Sequence, residues 1–244
     1  MSLGKAFGRV AMTAVGAAGL ALAAPAAAGV VVKSSGPSAA QYPVGKKIDD
    51  ASSITLKAGD SVTVLTDGGT RVISGAGTHR VGASGASKRS TFATLTRQRS
   101  GARVRTGAVR SGAGAMAPSN PNLWNLDVAK GGRLCVADTG SLNLWRADTG
   151  AEATYMFGRA NSDFHFHVTF DEGVSQASIS GDELPLSGGQ TYTLTGPAGD
   201  AAGNVEFVVI ETVPEAAEDM AAVLAANGCQ TQLDLLADKL MMAE

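Results

Sequence analysis

The sequence predicts a mainly β protein: a small N-terminal β module, then an antiparallel β-sandwich-like domain carrying a C-terminal αα-hairpin. Short β-branched and aromatic runs recur from Val30 to Ile210, with Gly- and Asp-rich turns between them. No helical period is visible over residues 29–81, whereas beyond Thr212 the apolar spacing changes to three and four. The 244 residues leave room for one large or two small domains. With 44% apolar and 17% charged residues the chain is not wholly disordered, and two Cys are too few for a disulfide-framework miniprotein or a multi-Cys zinc protein. Only one uncharged stretch is long enough to cross a bilayer, which excludes a multi-span membrane protein.

That stretch lies at the N-terminus. Lys5 and Arg9 form a short positive region, Val10 to Ala24 an Ala/Gly/Leu/Val run, and Ala26-Ala27-Ala28 a small-residue cleavage pattern before Gly29. Residues 1–28 are therefore expected to be a signal peptide. The alternative is a retained N-terminal membrane anchor, because nothing between Val10 and Val32 is charged. Pro25 and the low hydropathy of Ala and Gly favour cleavage. In both cases the remainder is expected to leave the cytoplasm.

Residues 29–82 read as the β module. Val30-Val31-Val32, Ile54-Thr55-Leu56, Val62 to Leu65, Arg71 to Ile73 and Thr78 to Val81 are its strands. Asp67-Gly68 between two of them is a hairpin signal, since such pairs tolerate positive φ. Val44-Gly45-Lys46-Lys47-Ile48, Ser53-Ile54-Thr55-Leu56, Ser61 to Leu65 and Asp67-Gly68-Gly69-Thr70-Arg71-Val72 together resemble the FecR-type β domain of Gram-negative envelopes. The resemblance covers about a fifth of the chain. It implies a periplasmic β domain without catalytic residues. Familiar members are transmembrane regulators that restrain an extracytoplasmic sigma factor. Here only nine residues precede the hydrophobic segment, a departure that argues against a direct anti-sigma role.

Residues 83–122 are Gly/Ser/Ala/Arg-rich and carry seven bases and no acid: Lys88, Arg89, Arg97, Arg99, Arg103, Arg105 and Arg110. A flexible basic linker is expected, with a short helix or strand around Thr91–Arg97. The seven bases are the anion-binding candidates, for an acidic lipid surface or lipopolysaccharide. Nucleic acid is not expected as a partner in that compartment, and Phe92, the one aromatic residue of the segment, does not make a series of stacking platforms. The plainer reading is a solvated basic segment leaning on an acidic neighbour. Residues 123–244 hold five bases against eighteen acids, so the charge along the chain is segregated.

Residues 123–212 contain about eight strand-like runs, the number of a sandwich or small barrel. The cleanest is Phe164-His165-Phe166-His167-Val168-Thr169-Phe170, whose alternation puts Phe and Val on one face and His on the other. One polar face per strand predicts antiparallel pairing. Trp124 and Trp145 sit beside aliphatics, so core positions are favoured over a sugar-stacking platform. In residues 213–244, Thr212-Val213-Pro214-Glu215 is a capping signature. Ala217, Met220, Ala221 and Leu224 form one stripe, and Leu233, Leu236, Ala237 and Leu240 a second, with Asn227-Gly228 between. Such a hairpin cannot bury its stripes alone and should dock on the sheet or on a partner.

Two constellations remain. Cys135 and Cys229 are the only thiols. In an oxidising compartment they invite a bridge fastening the hairpin to the sheet's outer face; the alternative is two buried, reduced cysteines. His165 and His167, at i and i+2 of a strand, point the same way and would suit a metal, yet a catalytic zinc site needs a third ligand. The alternative is two solvent-facing histidines. There is no Gly-x-Ser-x-Gly, Ser-x-x-Lys, His-Glu-x-x-His or phosphate-cradling loop, and no cofactor signature. These features imply an exported, non-enzymatic envelope protein, periplasmic or secreted, that binds a protein partner or a glycan. The alternatives are an FecR-type regulator of a membrane partner and a metal-dependent hydrolase using His165 and His167.

Overall fold

A computed structural model of the chain describes residues 27–49, 51–82, 88–97, 118–160 and 162–241. The leader expected over 1–28 lies outside these residues except for its last two, as do Arg99, Arg103, Arg105 and Arg110. Among the described residues no helix is long and apolar enough to cross a membrane.

The N-terminal module holds β1 (Ala27–Ser35), β2 (Lys47–Asp49), β3 (Ser53–Leu56), β4 (Ser61–Thr66), β5 (Gly69–Ser74) and β6 (Gly77–Arg80). A four-stranded sheet, β2-β1-β4-β5, packs on the β3-β6 pair through Val31, Ile48, Ile54, Leu56, Val62, Val64, Ile73 and Val81. Thr66 pairs with Gly69, so Asp67-Gly68 is the expected hairpin loop, with Gly69 next to it taking a positive φ of 118°. The Val30-Val31-Val32 run does not alternate because β1 is buried on both faces. Val31 points into the module, while Val30 and Val32 point outward into a second apolar cluster.

The larger unit holds β7 (Asn125–Asp127), β8 (Gly132–Val136), β9 (Ser141–Trp145), β10 (Ala153–Arg159), β11 (His165–Phe170), β12 (Gln176–Ser180), β13 (Thr191–Thr195) and β14 (Ala201–Val209). They form a five-stranded sheet, β11-β10-β13-β14-β8, and a three-stranded one, β12-β9-β7. The core between them is built on Leu134, Leu144, Phe157, Phe170, Tyr192 and Phe207. Pairing is mostly antiparallel, but β7 runs parallel to β9 and β8 parallel to β14. The cause is connectivity. β8 belongs to the opposite sheet from β7 and β9, so the chain crosses over and back and re-enters in its original direction. No tight hairpin forces the opposite sense on either pair.

Among the described residues three α-helices complete the fold: α1 (Arg89–Leu95), α2 (Ala217–Ala226) and α3 (Gln230–Lys239). Within the segment expected to be a linker, α1 forms because Phe92 and Leu95 share one face and are buried. The Thr212–Glu215 signature does not cap α2. That helix starts after Ala216, with no side-chain cap, and Glu218 and Asp219 complement its positive end. Residues 211–216 are spent crossing from Ile210, still bonded to Val136 O, to the hairpin. The α2 stop is as expected. Gly228 takes φ 69°, its N–H bonds Ala225 O and the Cys229 N–H bonds Leu224 O, a Schellman closure.

The hairpin lies between the two β units. Met220, Leu224, Leu233 and Leu236 are fully buried with Val30, Val32 and Leu65 of the first module, Phe92 and Leu95 of α1, and Leu123, Trp124 and Ile210 of the second unit. Thr70 N–H bonds Leu240 O at 2.7 Å, joining the end of α3 to β5.

Candidate functional site

The Cys135–Cys229 disulfide is formed, with the Cα atoms 5.9 Å apart. Leu134 and Val136 face the sandwich core, so Cys135 faces the other way, into the hairpin. Beside it lies Gln232, 2% exposed. Its Oε1 accepts from Cys135 N (2.7 Å), and its Nε2 donates to Cys135 O (2.8 Å) and Leu123 O (2.9 Å). One side-chain amide thus offers the free edge of β8 the donor and acceptor that a further strand would supply. Gln232 was not legible as a key residue, because an amide on a helix reads as surface.

The hairpin covers the β8 end of the five-stranded sheet and leaves the outer face of β13, β10 and β11 open. Thr154, Thr169, Thr191, His165 and His167 are exposed there, with Met156, Thr193 and Thr195 half-buried. Phe164, Phe166, Val168 and Phe170 point inward as their alternation predicts. His167 pairs with Met156 and His165 with Gly158 across the β10–β11 register. The two imidazole rings stand edge to face, centroids 5.5 Å apart. His165 Nδ1 lies 2.9 Å from Asp163 O. A carbonyl only accepts, so Nδ1 carries the proton of this bond and Nε2 is the ring nitrogen left for another partner.

Phe164, next to His165, is held by Arg159, another residue the sequence did not single out. Its guanidinium stacks over Phe164 (5.0 Å) and Tyr192 (5.3 Å) and donates through Nη2 to Gln190 Oε1 and Tyr192 Oη, both at 3.0 Å. At the opposite end Arg146 is buried and donates to Val174 O (2.9 Å), Ala151 O (2.8 Å) and Asp171 O (2.8 Å), tying together the β9–β10 and β11–β12 connections. Strand directions place Asp148, Glu152, Asp171, Glu172 and Asp200 at this same end. Burial raises the nearby Tyr155 phenol above its ordinary pKa, with the Arg146 charge opposing.

The basic candidates do not converge among the described residues. Lys88 and Arg89 stand at the start of α1 and Arg97 beyond its end, roughly 12 Å away at the helical rise. Arg89 faces Asp67 (Nε to Oδ1 3.2 Å) on the surface. Trp124 and Trp145 are both buried, and Trp124 Nε1 donates to Thr96 O, so neither offers a stacking platform. Among the described residues no three His, Cys, Asp or Glu side chains gather to hold a metal ion.

Comparison of the chain with protein-family models, with curated proteins and with solved structures finds no match.

Proposed function

We propose that this chain is an exported, non-enzymatic recognition or scaffold protein of a Gram-negative envelope, binding a protein partner or a glycan. The observation that carries the reading is the Cys135–Cys229 bridge at the centre of the fold. A buried disulfide joining the hairpin to the sheet suits a compartment where thiols oxidise. The uncharged run after Lys5 and Arg9 supports the same address. The outer face of β10, β11 and β13 offers exposed hydroxyls and imidazoles to a polar ligand.

The FecR-type likeness of residues 29–82 supports a second reading, a regulator of a membrane partner reached through the basic segment 83–122. One experiment separates the two. The tagged chain is used to capture partners from envelope extracts, alongside a Thr169→Arg/Thr193→Arg variant and a form lacking residues 98–117. Recognition by the sheet face predicts a partner lost with the double variant and kept with the deletion. The regulator reading predicts the reverse. A chain that captures neither envelope proteins nor glycans contradicts both.

A further inference from the structure

We propose that His165, His167 and Met156 form a surface site for a soft monovalent metal ion, Cu(I), bound by two imidazoles and one thioether. Alternation of inward Phe166 and Val168 puts both histidines on the outer face of β11, and inward Tyr155 and Phe157 put Met156 on the same face of β10. Met156 is the direct cross-strand partner of His167, a relation that brings Cβ atoms to about 5 Å. Its three flexible torsions let the sulfur reach toward either ring.

The rings are spaced for a shared ion. A ring nitrogen lies about 1.1 Å from its centroid, so with a metal–nitrogen bond of about 2.0 Å each centroid stands about 3.1 Å from the metal. Centroids 5.5 Å apart would subtend about 125° at the ion, near a trigonal angle, once the rings, which stand at 83° to each other, turn about χ2 to aim both nitrogens at it. His165 is already in the ligating tautomer: Nδ1–H is given to Asp163 O, the outer-shell bond that orients metal-binding histidines. The Arg159 clamp on Phe164 holds the strand start that presents it. A thioether beside imidazoles favours Cu(I), whereas zinc is held by imidazole, thiolate or carboxylate and usually by four ligands. The surrounding unit, five bases against eighteen acids, attracts a cation.

The test is an anaerobic competition in which the purified, oxidised chain withdraws Cu(I) from its bis-bicinchoninate complex. Wild type is expected to take one equivalent. His165→Ala and His167→Ala should each weaken binding at least about tenfold, and Met156→Leu by about tenfold for Cu(I) with Zn(II) affinity changed less than about twofold. All three side chains lie outside the cores, and near-UV circular dichroism of each variant checks that the fold is kept. The other methionines are intact in M156L, so a selective loss assigns the thioether. Failure of the wild type to withdraw copper, or Cu(I) affinity unchanged in M156L, overturns the proposal.

Discussion

Single polar side chains hold this fold where the backbone ladders stop. Gln232 satisfies three buried backbone groups, two on Cys135 and one on Leu123. Gln232→Leu keeps the volume and orphans them, so a loss of about 2–3 kcal/mol is expected by chemical denaturation. Asp60 closes the β3–β4 turn, accepting the Ser38 and Lys57 N–H groups. The Ser38 hydroxyl beside it, with those amides and the Lys57 charge, keeps its carboxyl below the usual carboxylate range against the opposing effect of burial. Its folded pKa lies below the unfolded value of about 3.9, so its stabilisation is complete above that pH and fades as pH falls through the folded value. Melting temperature followed against pH should therefore show a shallower acid limb in Asp60→Asn than in wild type. Neither residue's role was legible beforehand. Asp60 sits in one of the Gly- and Asp-rich turns, where nothing local shows its bond to Ser38, and Gln232 matters through a strand 97 positions away.

At the scale of elements, the sequence was readable wherever one face was wet and the other dry. Phe164 to Phe170 alternates because β11 has such faces. The stripes of α2 and α3 appear for the same reason, and Asn227-Gly228 marks the joint correctly. Reading failed where an element answers to two cores or to a connection. Thr212–Glu215 has capping chemistry, yet the chain needs those residues to travel from Ile210 to the hairpin. The parallel pairs arise from crossing between sheets, which no local pattern records. The disulfide joins elements 94 residues apart, a closure worth about 4–5 kcal/mol in the chain-entropy model. Cys135→Ala/Cys229→Ala should lose about that much in a urea titration, and wild type in reductant should match the double variant.

Across the molecule, the two β units and the hairpin share one apolar cluster, and α2 and α3 are its central elements. Unfolding should accordingly be a single transition seen alike by tryptophan fluorescence and far-UV dichroism. Leu233→Ala, at the centre of that cluster, should cost about 2–5 kcal/mol and lower amide protection in β1 and β8 together. Loss of protection in one unit alone would show that the units fold separately. The recognition reading depends on this assembly being built outside the cytoplasm, with its bridge closed. The most direct measurement is mass spectrometry of the native protein after rapid thiol blocking and fractionation. The expected result is a Cys135–Cys229 linked peptide in the extracytoplasmic fraction, on a chain beginning at Gly29. Recovery of the unprocessed chain from the cytosol, with both cysteines alkylated, would contradict the account.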